Sequence, residues 1–191
     1  LNHNNSTKIA KELIDNAVIA GCDAVKFQTY ETDSRVSNKV KSANYVDKTI
    51  GLEESIGDMF NRLRLDKDKH QEIFNYARSK NIEVFSTPFD ATAVDFLEDL
   101  NVPVYKIASF ECIDLPLITY AAKTGKPLII STGMSTEEEI EEAVENCNPD
   151  VIMHTNSTYP SPVKELNLNY ITWLKNKYNK EVGYSGHEYG L

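Results

Sequence analysis

Short apolar runs, each ending in polar residues and each separated from the next by an amphipathic stretch, constrain this chain more than any other feature. Lys26 and Gln28 close the run Ala24-Val25-Lys26-Phe27-Gln28, and Thr87 closes Val84-Phe85-Ser86-Thr87. Lys106, Ser109 and Glu111 close the run that starts at Val104. Ser131 and Thr132 follow Leu128-Ile129-Ile130, and His154 and Thr155 follow Val151-Ile152-Met153. Ser185 and His187 follow Val182-Gly183-Tyr184. Runs this short read as buried strands when turn residues bound them and helical periodicity intervenes. Strand–helix alternation with right-handed crossovers gives a parallel sheet. In a parallel α/β barrel the C-terminal strand ends all face one mouth, where the chemistry is done. The pattern predicts six strand ends delivering lysines, hydroxyls, a carboxylate and imidazoles to one pocket, as an enzyme acting on an anionic substrate needs.

The elements follow from local signals. Ser6 or Thr7 caps a helix to about Ala20, with Ile9, Ala10, Leu13, Ile14 and Ala17 on one face and Gly21 ending it. Strands are expected at about 23–28, 83–86, 104–107, 128–131, 151–154 and 181–184. Helices are expected at about 66–80, 91–100, 116–123, 136–147 and 168–178. Ser135 with Glu138 forms a capping box for the acidic helix. Residues 30–65 read as one long polar connection of the kind that serves as a functional loop or lid. His70 falls on a helix face and is expected to be solvated. The fold class is α/β. A (β/α)8 barrel is favoured over a doubly wound sheet, which would carry a glycine-rich phosphate loop after its first strand. No such motif is present. An eight-stranded barrel needs one strand before Leu1 and one after Leu191, so residues 1–191 are expected to be a barrel fragment lacking its first and last strands.

Charge and composition exclude other classes. The formal net charge of −9 over 191 residues argues against a nucleic-acid surface. No apolar run reaches the roughly 18 residues of a membrane span. Cys22, Cys112 and Cys147 are widely spaced with no CxxC pair, which reads as a reducing, cytoplasmic setting without disulfides or structural zinc. Lysine inside an apolar strand run needs an anionic partner; the lesser alternative is that Lys26 and Lys106 snorkel from strand ends. Taken singly, Thr87, Ser109, Ser131 and Ser185 read as turn or cap residues; together they are donors around one phosphate or carboxylate. Glu111 is either a helix N-terminal carboxylate or a substrate contact. A lone histidine is more often structural than a ligand, and His187, His3 and His154 all fall near the predicted mouth.

Seven segments in order resemble the sialic acid synthase family, the N-acylneuraminate synthases. They are Asn2-His3-Asn4, Val25 to Thr29, Phe85 to Phe89, Tyr105 to Cys112, Ile130 to Ser135, His154 to Pro162 and Gly183 to His187. The resemblance implies a TIM barrel followed by an antifreeze-like domain, absent from this chain, and a homodimer in the full-length form. It implies condensation of phosphoenolpyruvate with an N-acetylated hexosamine, with N-acetylmannosamine as the default acceptor and legionaminic or pseudaminic acid precursors equally compatible. The product is a nine-carbon 2-keto sugar acid, and phosphate is released. Carried onto this chain, Lys26, Lys106, Thr87, Ser109, Ser131, Ser185 and Ser157 hold phosphoenolpyruvate, while Gln28, Glu111 and Tyr159 contact the sugar. His187 holds Mn²⁺ or Mg²⁺, with a second histidine expected beyond Leu191. Two departures stand out. Asn4-Asn5 follows the first histidine, where many members carry Glu or Asn then Gly; a Glu there is catalytic in some members, and Asn4 cannot serve as a base. Gly186 precedes His187, where an acidic residue is common. The alternative from another class is a non-catalytic sugar-phosphate sensor on the same barrel.

Overall fold

A computed structural model describes residues 2–35 and 55–189. The chain divides into two compact units, Leu1–Val102 and Pro103–Leu191. Among the described residues no helix is long and apolar enough to cross a membrane.

The first unit runs α1 (Thr7–Ile19), β1 (Ala24–Thr29), α2 (Thr32–Arg35), α3 (Ile56–Leu63), α4 (Lys67–Ser79), β2 (Glu83–Pro88) and α5 (Ala91–Asp99). Its two strands pair in parallel, Lys26 opposite Phe85 and Gln28 opposite Thr87. The longer helices start where a short polar side chain meets an orphan amide. Ser6 accepts from Ile9 N–H at 3.3 Å, Ser55 from Asp58 N–H at 3.0 Å and Asp66 from Lys69 N–H at 2.8 Å. The segment 30–65 is therefore not one loop. It carries α2 and α3, and residues 36–54 lie outside the described residues. The polar composition hid α3, whose serine cap precedes only two turns. Leu13, expected on the buried face of α1, is 43 % exposed; Ala10 and Ile14 are the fully buried residues of that face, with Ile9 and Ala17 half-buried.

The second unit runs β3 (Tyr105–Ile107), a 3-10 turn at Ser109–Glu111, α6 (Leu115–Ala122), β4 (Leu128–Ser131), α7 (Glu137–Cys147), β5 (Val151–Thr155), a 3-10 turn at Val163–Glu165, α8 (Asn169–Tyr178) and β6 (Glu181–Ser185). Its strands pair in parallel in sequence order, β3-β4-β5-β6. That order never reverses, which is how a barrel wall winds and not how a doubly wound sheet does. The capping box of α7 sits one residue later than its sequence suggests. Thr136 accepts from Glu139 N–H at 3.2 Å, and Glu139 returns a carboxylate to Thr136 N–H at 2.7 Å. Ser135 and Thr136 both have a glutamate three residues on, so the box could form in either frame. Ser135 instead gives its N–H to the Thr132 carbonyl in the turn that leaves β4.

Register then sorts the side chains, because residues paired across parallel strands share a face. One face of the second unit carries Tyr105, Ile107, Leu128, Ile130, Ile152 and His154, all buried. The opposite face carries Lys106, Ile129, Val151 and Met153, all half-buried. In the first unit Phe27 and Val84 are buried, while Lys26 is exposed and Gln28 and Phe85 are half-buried. At about 25 cal/mol per Å² of apolar surface, the buried face supplies the stabilisation. The other face is left for polar groups.

Candidate active site

In the first unit, Lys26 and Gln28 on β1 and Thr87 on β2 share the less buried face. Thr87 itself is buried, at 1 % exposure. Lys26 is exposed by surface area, yet desolvation lowers its pKa below the ordinary lysine value, and the positive charge of Arg35 lowers it further. A side chain reachable by water but crowded by protein satisfies both observations. An anion beside Lys26 would reverse both effects. Arg35 ends α2 with its guanidinium stacked over three rings, 4.6 Å from the centroid of Tyr30, 4.0 Å from Phe60 and 3.9 Å from Phe89. Tyr30 follows β1 and Phe89 follows β2, so these rings hold the guanidinium at the C-terminal ends of the two strands. Burial pushes the Tyr30 phenol up to about 12 against the pull of Arg35 and Arg64. The sequence analysis missed Arg35, since its ring partners are spread along the chain with no local signature.

In the second unit, Lys106 Nζ donates to Ser131 Oγ, joining β3 to β4 across the less buried face. Ser109 Oγ accepts the Gly133 N–H at 3.1 Å. A Cβ at Gly133 would lie 2.3 Å from Ser157 Oγ and 2.9 Å from Ser109 Oγ, so only glycine lets the two hydroxyls close around its backbone. Ser109, Ser157 and the Gly133 amide thus form one cluster. Glu111 is buried at the end of the 3-10 turn that starts at Ser109. Ser185 lies opposite Thr155 in register. A cleft of about 460 Å³ opens over the ends of β4 and β5, bordered by Thr132, Ser135, Thr155, Ser157, Asn167 and Tyr170.

His187 follows β6 and is half-buried. Its Nδ1 is 2.5 Å from the Asn156 carbonyl oxygen and its Nε2 is 2.7 Å from the Tyr159 hydroxyl. The Ser161 N–H donates to the His187 carbonyl at 2.9 Å, tying the β5 loop to this residue. The Tyr159–Pro160 peptide is cis. Beside it, Tyr184 donates to Glu188 Oε2 at 2.9 Å, and the Glu188 carboxylate fills the space that a Cβ at Gly186 would need, 2.4 Å from it. Among the described residues no group of three His, Cys, Asp or Glu side chains is arranged to hold a metal.

The other histidines are structural. His70 is not solvated but 2 % exposed. Its Nε2 is 3.0 Å from Thr29 Oγ1, and that hydroxyl is 2.7 Å from Ser86 Oγ. Asp66 caps α4, and its carbonyl lies 3.1 Å from His70 Nδ1. Desolvation lowers the His70 pKa. The expectation of a solvated His70 is corrected: it shares the buried face of α4 with Ile73, Phe74 and Ala77. His154 Nε2 donates to the Leu166 carbonyl at 2.7 Å, with its ring between Tyr170 and Tyr184. His3 accepts the Asn5 N–H at 3.0 Å and is pushed down to about 4, chiefly by burial. Asn4 and Asn5 both adopt positive φ, at 48° and 59°, so asparagine keeps the turn after His3 without a glycine.

The chain is 41 % identical over its whole length to an uncharacterized protein of Methanocaldococcus jannaschii, covering 54 % of that protein. It is 38 % identical to the N,N'-diacetyllegionaminic acid synthase of Campylobacter jejuni, covering all of this chain and 59 % of that enzyme. Among solved structures, the N-acetylneuraminic acid synthetase of Leptospira borgpetersenii, in complex with citrate, superposes with a TM-score of 0.86 at 30 % identity, over 99 % of this chain and 63 % of that one. A truncated 3-deoxy-D-arabino-heptulosonate 7-phosphate synthase of Thermotoga maritima shares the fold, with a TM-score of 0.66 at 11 % identity over 96 % of this chain and 60 % of that one. The chain spans about half the length of the curated relatives it matches. Residues 13–191 match the profile of the NeuB family, and the chain belongs to that family.

Proposed function

We propose that the protein containing this chain condenses phosphoenolpyruvate with an N-acetylated hexosamine to a nine-carbon 2-keto sugar acid and releases phosphate. The observation that carries this reading is the donor set on the less buried face of the second unit. Lys106 is held by Ser131, Ser109 accepts the Gly133 N–H, and Ser157 Oγ fills the space where a Gly133 Cβ would stand. Fixed donors of this kind stabilise a dianionic phosphate and the charge that develops as it leaves. Lys26 and Thr87 supply a second set, and an anion beside Lys26 would relieve the repulsion from Arg35.

The methylene carbon of phosphoenolpyruvate attacks the aldehyde carbon of the open-chain sugar. Water adds to the cationic C2 that results, and the C2–O bond breaks as phosphate leaves. Lys106 and the Ser109, Ser131 and Ser157 hydroxyls of the second unit hold the phosphate, which fixes the face of the attacking carbon. Glu111 and Tyr159 of the same unit orient the sugar hydroxyls. Asn4 cannot take a proton, so it serves as a turn residue in this chain.

His187 fits a hard divalent cation as one ligand. The Asn156 carbonyl fixes the proton on Nδ1 and leaves the Nε2 lone pair facing outward, the second-shell arrangement that metal-bound imidazoles use. A Mn²⁺ or Mg²⁺ ion bound there would polarise the aldehyde oxygen as a Lewis acid. Its remaining ligands would be water and groups outside the described residues. A homodimer and a cytoplasmic setting belong to the same proposal.

The test is phosphate release by the full-length protein given phosphoenolpyruvate, Mn²⁺ and a panel of N-acetylated hexosamines. Release with one acceptor, lost with chelator, is expected and names the sugar. Binding of phosphoenolpyruvate without release for any acceptor would overturn the synthase.

A further inference from the structure

His187 turns one ring nitrogen to the backbone and the other outward. The Asn156 carbonyl, 2.5 Å from Nδ1, can only accept, so Nδ1 carries the proton. The neutral imidazole then has its single lone pair on Nε2. The Tyr159 hydroxyl lies 2.7 Å from Nε2 and must be the donor to it. The two rings overlap, with centroids 3.9 Å apart and planes 29° from parallel, which holds the hydroxyl against the nitrogen. One lone pair cannot accept that proton and bind a cation together.

We infer that Tyr159 is a positioning residue that sets the cation affinity of His187. Its hydroxyl and a divalent cation compete for Nε2, and cation binding releases the phenol. The inference rests on the reading of His187 as a metal ligand. The phenol is the part that moves, because Tyr159 is 63 % exposed and can swing away without opening the core. His187 is held on both sides, by the Asn156 carbonyl at its ring and by Ser161 N–H at its own carbonyl. Cation binding at Nε2 therefore frees the Tyr159 hydroxyl for a sugar.

The experiment is Mn²⁺ titration of the full-length protein, wild type, Tyr159→Phe and His187→Ala, read by the electron paramagnetic resonance signal of free Mn²⁺ and, in parallel, by near-ultraviolet tyrosine absorption. Tyr159→Phe keeps the ring and removes only the donor. The expected result is tighter binding in Tyr159→Phe, by roughly 3- to 10-fold, the scale of one net hydrogen bond. A tyrosine difference signal on Mn²⁺ addition is expected in wild type and absent from Tyr159→Phe. Equal or weaker Mn²⁺ binding in Tyr159→Phe, with binding lost in His187→Ala, would overturn the competition and leave His187 as a ligand. Undiminished binding in His187→Ala would overturn the ligand assignment and the competition with it.

Discussion

His154 and His187 both follow apolar strand residues, yet they face opposite environments. His154 lies on the helix-covered face of β5 and spends Nε2 on the Leu166 carbonyl, with aromatic rings on either side. His187 lies past the end of β6 and presents Nε2 to a single exposed phenol. The same contrast separates Ile130 from Lys106. On the covered face, polar atoms that enter the core find partners there, as in the Thr29–His70–Ser86 chain. On the other face, donors cluster with room for a ligand. Residue type alone does not say which histidine can act; the face does.

Four measurements would break or sharpen that contrast. The largest effect is expected in the core. Ile130→Ala should cost about 2–5 kcal/mol in denaturant unfolding, because it empties a fully buried site. Its half-buried neighbour Ile129 should cost clearly less, and equal losses would erase the distinction between the faces. Next comes Lys106→Ala, expected to raise the KM for phosphoenolpyruvate by about 10- to 100-fold, equivalent to about 1.4–2.7 kcal/mol. Its thermal midpoint should barely change; a drop of many degrees with normal kinetics would move Lys106 to the structural set.

The third is pH dependence. His3 and His70 are both lowered by burial, His3 to about 4 from an unfolded value near 6.5. Below pH 6.5 the unfolded chain takes up protons that the folded one refuses, so stability falls as pH drops from about 6.5 toward 4. A denaturant midpoint that rises on acidification through this window would contradict the buried neutral imidazoles. His70→Phe should flatten part of the slope. The smallest effect is at the α7 cap. Thr136→Ala should cost about 1 kcal/mol, and Ser135→Ala close to nothing, which circular dichroism melts would distinguish.

Much of the architecture was legible. All six strands and the five helices that follow α3 fall within a residue or two of where apolar runs, caps and glycines put them, since those signals act within one turn or one strand. Legibility failed where two local rules competed. Ser135 and Thr136 offered the same box, and α3 was hidden by the polar segment around it. It failed again where partners are remote. Arg35 is held by rings 5, 25 and 54 positions away along the chain. Thr29 and His70 are 41 residues apart.

What the sequence determined by itself is the alternation of strands and helices, the parity that puts Lys106 opposite the Ile107 face, and the polar residues waiting at each strand end. Membership in the NeuB family is read from the sequence over residues 13–191. Only the tertiary structure decided which polar atoms are already used. Hydrogen bonds between His187 and Asn156, 31 residues apart, and between Ser109 and Gly133, 24 apart, exist because neighbouring parallel strands bring their ends together. A strand end announces its residues locally, but its partners come from the next strand, a whole helix later in the chain.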